Sequence, residues 1–148
     1  HPRDRRQRQM CIRDRYASSS NILRIINNNY PDIITRTIPG ISSISAAAAL
    51  SNFNLLKKGE TLIIKECPSS KSELKALIIQ TKVNKTVLAV MKVGKRWSLV
   101  KEILEKEKII NKALIALNVG MPDQIIQDAS KYNLETMPYF SLILIRTS

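Results

Sequence analysis

The sequence predicts an α/β domain built around a largely buried sheet, and three observations carry that reading. Strand-like apolar runs alternate along the chain with segments of helical periodicity. Every glycine, and every proline after Pro2, falls between these segments rather than inside one. Two runs, Val87 to Met91 and Leu142 to Ile145, are continuously apolar, as strands covered on both faces are.

Taken in order, residues 19–28 read as a helix stopped by the turn Asn27-Asn28-Asn29-Tyr30-Pro31, and Ile33 to Ile38 read as a strand closed by Pro39-Gly40. Ser42-Ser43 offers an N-cap to a helix through Ala46-Ala47-Ala48-Ala49-Leu50, whose small side chains permit close approach. A strand at Thr61 to Lys65 leads to a helix at Lys71 to Thr81, where Leu74, Leu77, Ile78 and Thr81 keep the i, i+3, i+4, i+7 spacing of a core-facing stripe. After the strand Thr86 to Met91, the helix Lys95 to Lys108 places Trp97, Val100 and Leu104 on one face. Glu102 and Lys106 form an i,i+4 pair on its solvent side. The remaining elements are a strand at Lys112 to Asn118, a helix at Asp123 to Tyr132 and a strand at Tyr139 to Arg146. The start of that last helix is marked by Gly120 and Pro122.

The first fifteen residues differ abruptly from the rest. They hold six Arg and two Asp of a chain carrying 24 basic and 12 acidic residues, and almost no apolar side chain. The string Gln7-Arg8-Gln9-Met10-Cys11-Ile12-Arg13-Asp14-Arg15 resembles a translated sequencing-adapter read-through, so the segment is set apart from the fold as non-native. A natural basic arm for nucleic acid is the alternative. Without the segment 18 basic and 10 acidic residues remain, a formal charge of +8, with only Lys57-Lys58 and Lys95-Arg96 as adjacent basic pairs. No basic stripe interleaved with stacking aromatics is visible, so a small basic nucleic-acid module is the minor reading and no nucleic-acid partner is expected.

Composition narrows the chemistry further. The only histidine is His1 and the only cysteines are Cys11 and Cys67, which disfavours a histidine-based triad, a zinc site and a disulfide framework; no metal is expected. The four glycines are too dispersed for a phosphate-cradling loop. No apolar run approaches the roughly 18 residues of a membrane helix, and no membrane partner is expected. Ligands of open α/β sheets collect beyond the carboxyl ends of strands. That rule singles out the turns Ile38 to Ser43, Val90 to Gly94 and Asn118 to Asp123, each of which also has an ordinary reading as turn, cap or core filler.

In this order the pieces Ile38-Pro39-Gly40-Ile41-Ser42-Ser43-Ile44-Ser45-Ala46-Ala47-Ala48, Met91-Lys92-Val93-Gly94-Lys95-Arg96, Gly120-Met121-Pro122-Asp123 and Pro138-Tyr139-Phe140-Ser141-Leu142-Ile143-Leu144-Ile145 resemble the tetrapyrrole methylase superfamily. The last three point to its precorrin-2 carbon-20 methyltransferase branch, in the cobalamin pathway. The resemblance spans Tyr16 to Ser148. It implies two α/β domains with S-adenosylmethionine and the tetrapyrrole held between them, in a cytoplasmic homodimer. Residues 16–41 would be a remnant of the first domain and residues 42–148 the second, with a mixed sheet flanked by helices. Carried over residue by residue, the cofactor contacts implied are Ser42, Ser43, Met91, Val119 and Gly120, with no catalytic side chain assigned. Leu117-Asn118 departs from the family, many members of which carry an acidic or basic polar pair there. Precorrin-2 and cobalt-factor II stay open as substrates, and another tetrapyrrole methylase activity is the alternative within the superfamily. With its first domain missing, the chain is expected to be inactive alone, and an apolar surface around Ile38, Ile44 and Ala47 is expected where that domain or a partner would sit.

Overall fold

The two continuously apolar runs lie side by side inside the sheet. In the computed structural model, which describes residues 19–36 and 38–147, the strands are β1 (Thr61–Glu66), β2 (Thr86–Met91), β3 (Ala113–Leu117), β4 (Ile125–Asp128) and β5 (Ser141–Ile145), in the order β1-β2-β5-β3-β4. β1 and β2 are parallel and every other pairing is antiparallel. β5 therefore runs between two neighbours of opposite direction, and all five of its residues are buried. The adapter-like segment lies outside the described residues.

The chain divides into two units at the Ser42/Ser43 boundary. In the first, α1 (Ser19–Asn29) closes with the Tyr30 N–H donating to the Ile26 carbonyl at 2.8 Å, and Pro31 follows. The strand expected at Ile33 to Ile38 is not there: residues 34–36 and 38–42 are irregular, and Ile34 and Ile38 are exposed. An apolar run becomes a strand only where a neighbour satisfies its backbone N–H and C=O groups, and no described strand pairs with this one.

In the second unit, helices cover both faces of the sheet. Leu88, Val90, Ile115, Ile143 and Ile145 meet the apolar stripes of α3 (Lys71–Val83) and α4 (Trp97–Lys106), with Leu74, Ile78, Trp97, Val100 and Leu104 among the buried residues. The opposite face is finer-grained: Ala89, Ala116, Leu142 and Leu144 pack with Ile44, Ala47 and Ala48 of α2 (Ser43–Leu50). Alanine on both sides lets helix and sheet approach closely. Ile44 and Ala47 are therefore buried within their own unit, at 2% and 0% exposure, and only Ile38 of the expected apolar surface is open.

The sequence also misassigns Asp123 to Tyr132, which is β4 followed by one 3-10 turn, Ala129–Lys131. Two residues in the left-handed region, Asn118 (φ 48°) and Gly120 (φ 82°), turn the chain back on itself. Side chains hold the reversal, with Asn118 Nδ2 donating to Asp123 Oδ2 at 2.6 Å and the Gly120 N–H to Gln124 Oε1 at 2.8 Å. Ile125 to Asp128 then pair with β3, so Pro122-Asp123 sits in a hairpin loop and not at a helix start.

Candidate functional site at the carboxyl edge of the sheet

β1, β2 and β3 all end on one edge of the sheet, and β5 begins there, because it is antiparallel to both β2 and β3. Glu66 stands opposite Met91, Met91 opposite Leu142, and Leu117 opposite Ser141. Beyond the strand ends the backbone remains tied: the Cys67 N–H donates to the Met91 carbonyl at 2.8 Å, the Lys92 N–H to the Ser141 carbonyl at 3.1 Å, and the Asn118 N–H to the Phe140 carbonyl at 2.8 Å. The buried Ser141 hydroxyl accepts the Gly94 N–H at 3.1 Å.

Four residues of this edge are in the left-handed backbone region: Lys92 (φ 54°), Gly94 (φ 47°), Asn118 (φ 48°) and Gly120 (φ 82°). A left-handed conformation costs a non-glycine residue about 1–2 kcal/mol. Such conformations persist where surrounding contacts over-determine them, and they cluster at ligand sites.

Two surfaces flank the edge. On the α2 side, Met91 and Val119 pack against the alanine-lined cluster while remaining half-buried. α2 itself begins at Ser43, and Gly120 is exposed in the hairpin loop. Met91, Val119 and the helix opened by Ser43 thus share one face, whereas Ser42 falls in the first unit. The second surface is an open groove of about 430 Å3 lined by Glu66, residues 92–96 and Tyr139. Its cations, Lys92, Lys95 and Arg96, all lie in the sequence piece Met91 to Arg96, where Lys95-Arg96 is an adjacent basic pair and none of the three is assigned a contact. Arg96 is fixed by donating to the Cys67 carbonyl at 2.6 Å and to Ser69 Oγ at 3.1 Å. Tyr139 is 72% exposed and meets Phe140 edge-on, ring centroids 5.1 Å apart.

S-adenosylmethionine presents a flat adenine, a ribose and a cationic sulfonium. The α2-side surface matches that ligand in character: Met91 and Val119 are apolar and neutral, and Gly120 lets a ligand approach the backbone. The basic groove is the poorer match for a sulfonium cation.

A sequence profile of the tetrapyrrole (corrin/porphyrin) methylases matches residues 15–134. No curated protein matches in sequence. Among solved structures the chain is similar to the methyltransferase CobJ, with a TM-score of 0.60 at 19% identity over 90% of this chain and 60% of that one. It is also similar to the cobalt precorrin-4 methyltransferase CbiF, with a TM-score of 0.58 at 18% identity over 88% and 58%. A third is a uroporphyrin-III C-methyl transferase from Thermus thermophilus complexed with S-adenosyl homocysteine, with a TM-score of 0.51 at 14% identity over 87% and 59%. The chain spans about 60% of the length of these structures.

Proposed function

Because the chain belongs to the family of tetrapyrrole (corrin/porphyrin) methylases, we propose that it supplies the carboxyl-terminal part of an S-adenosylmethionine-dependent methyltransferase whose substrate is precorrin-2 and whose target is carbon 20. The observation that carries the activity is the convergence, in a chain of this family, of four left-handed residues and a half-buried apolar surface at one sheet edge. Carbon-20 specificity rests on the resemblance of Met91 to Arg96, Gly120 to Asp123 and Pro138 to Ile145 to that branch. A cytoplasmic homodimer is the assembly this reading implies.

S-adenosylmethionine, when bound, supplies a methyl group on a cationic sulfur. Met91 and Val119 would cover its apolar parts, Ser43 would offer a hydroxyl, and Gly120 would admit it to the backbone. Methyl transfer to a nucleophilic carbon of the substrate needs alignment and exclusion of water more than a dedicated side-chain nucleophile. The lack of a histidine beyond His1 is therefore compatible with the reaction.

If the family's preceding domain furnishes half of a micromolar site, worth about 8 kcal/mol in all, the chain alone keeps roughly 4 kcal/mol and binds near 1 mM. Calorimetry with S-adenosylmethionine tests this. Adding a first domain from a close relative should tighten binding, and Met91→Asp should abolish the gain. Micromolar binding by the chain alone, or indifference to Met91→Asp in the reconstituted complex, overturns this assignment of the site. Mass spectrometry and NMR of the product then decide carbon 20 against another carbon, and metal-free precorrin-2 against cobalt-factor II as substrate.

A further inference from the structure

We infer that the groove between Glu66, Lys92, Lys95, Arg96 and Tyr139 is an anion site that holds peripheral carboxylates of the tetrapyrrole substrate, an inference that rests on the function proposed above.

Charge comes first. Three cations face one carboxylate around an open groove of about 430 Å3. Arg96 is already anchored by two hydrogen bonds to the Cys67 to Ser69 loop, so it contributes a fixed positive field and need not be ordered by a ligand. The ammonium of Lys95 is exposed and makes no ion pair among the described residues. Lys92 Nζ lies 3.3 Å from Glu66 Oε2, with the two side chains 48% and 60% exposed. An ion pair so long and so wet contributes little to stability, so a ligand carboxylate can take the place of Glu66 at small cost.

Geometry comes second. The groove adjoins the strand end that carries Met91, because Lys92 follows it directly and the backbone at Lys92 and Gly94 is pinned by Ser141. An anion held here would therefore lie beside the surface assigned to the methyl donor, separated from it by the edge of β2. Tyr139, propped edge-on by Phe140, presents an exposed aromatic ring at the rim, suited to a flat conjugated ligand with acidic substituents. A bare anion would have no use for that ring.

Titration of the full chain with uroporphyrin III, a porphyrin carrying carboxylates on every pyrrole, followed by absorbance, tests the inference. A porphyrin bearing pyridinium cations and the non-tetrapyrrole benzenehexacarboxylate serve as comparison ligands. The expected result is binding of uroporphyrin III that falls with salt and exceeds that of the cationic porphyrin. Lys95→Glu should weaken it about tenfold or more, the fold-change of one charge-assisted hydrogen bond, whereas Glu66→Gln should tighten it. Both positions are exposed, and the opposite signs separate ligand contact from loss of fold. Uroporphyrin III binding that ignores both substitutions overturns the inference and leaves the proposed function standing. Benzenehexacarboxylate binding that obeys both, with no binding of uroporphyrin III, overturns the substrate class while keeping the groove as an anion site. Binding of neither overturns both the groove and its ligand.

Discussion

Three lysines stand where the backbone favours glycine: Lys85 (φ 46°), Lys92 (φ 54°) and Lys108 (φ 57°). Lys108 shows why the conformation is required. It follows α4 and its N–H donates to the Glu105 carbonyl at 3.0 Å, while the Ile109 N–H reaches the Leu104 carbonyl at 2.9 Å and Ile109 is buried. This paired closure of a helix end needs a left-handed residue. Replacing Lys108 with Gly should raise stability by up to about 1 kcal/mol in denaturant unfolding. The sequence hid these turns because the chain has only four glycines. A second residue-scale outcome concerns Cys67, which is buried, at 2% exposure. Burial pushes its thiol above the ordinary value and outweighs the neighbouring Arg96 guanidinium, which pulls it down. In a Cys11→Ser variant, Cys67 should react with a thiol reagent at pH 8 far more slowly in the folded protein than after unfolding.

Each helix reads its sequence differently. α3 and α4 declare themselves by their stripes, and Leu74, Ile78, Trp97, Val100 and Leu104 are all fully buried. α2 has no stripe, being nearly all Ala and Ser, and its burial comes from the small residues Ala89 and Ala116 across from it. Ala47→Leu should cost about 1–3 kcal/mol by overpacking that contact, as seen in the thermal midpoint. On the outer side, Glu102 bridges helices: Lys106 of its own helix donates to it at 2.6 Å and Lys71 of α3 at 3.0 Å. Those hydrogen bonds, that of Lys106 first, hold its carboxyl below the usual value. Its folded pKa lies below its unfolded one, so its stabilising contribution is present above pH 4.5 and is lost as the pH falls through the lowered folded value. Glu102→Gln should therefore flatten the acid limb of the stability curve and leave its slope near neutrality unchanged.

At the scale of the second unit, one ion pair closes the chain. Arg146, just after β5, donates from Nη2 to both oxygens of Glu60 at 2.6 and 2.7 Å and from Nη1 to the Asn54 carbonyl. The two side chains are only 10% and 5% exposed. The pair ties the loop before β1 to the end of the last strand, 86 residues away in sequence. Arg146→Ala would remove the cation from a buried carboxylate that keeps the Lys57 N–H, at 2.6 Å, as a donor, and should cost about 3 kcal/mol, measured by urea unfolding. Arg146→Lys should recover only part of that loss, because a single ammonium cannot reproduce the forked contact.

The strands and helices that bury a continuous run or a 3.6-period stripe, β2, β3, β5, α3 and α4, were determined by the sequence itself, as was the partly buried β1. Their patterns state how many faces meet the core, and that demand is local. Tertiary structure decided the rest. Whether Ile33 to Ile38 becomes a strand depends on a neighbour for its backbone, and whether Gly120-Met121-Pro122-Asp123 opens a helix or a hairpin depends on β3 offering an unpaired edge to Ile125 to Asp128. Of the groove, only the stretch from Met91 to Arg96 was legible in the sequence, because Glu66 is set beside Lys92 by the parallel pairing of β1 with β2, and Tyr139 is brought to them by the antiparallel insertion of β5. Register and strand order are properties of pairing between distant segments, and no single segment encodes them.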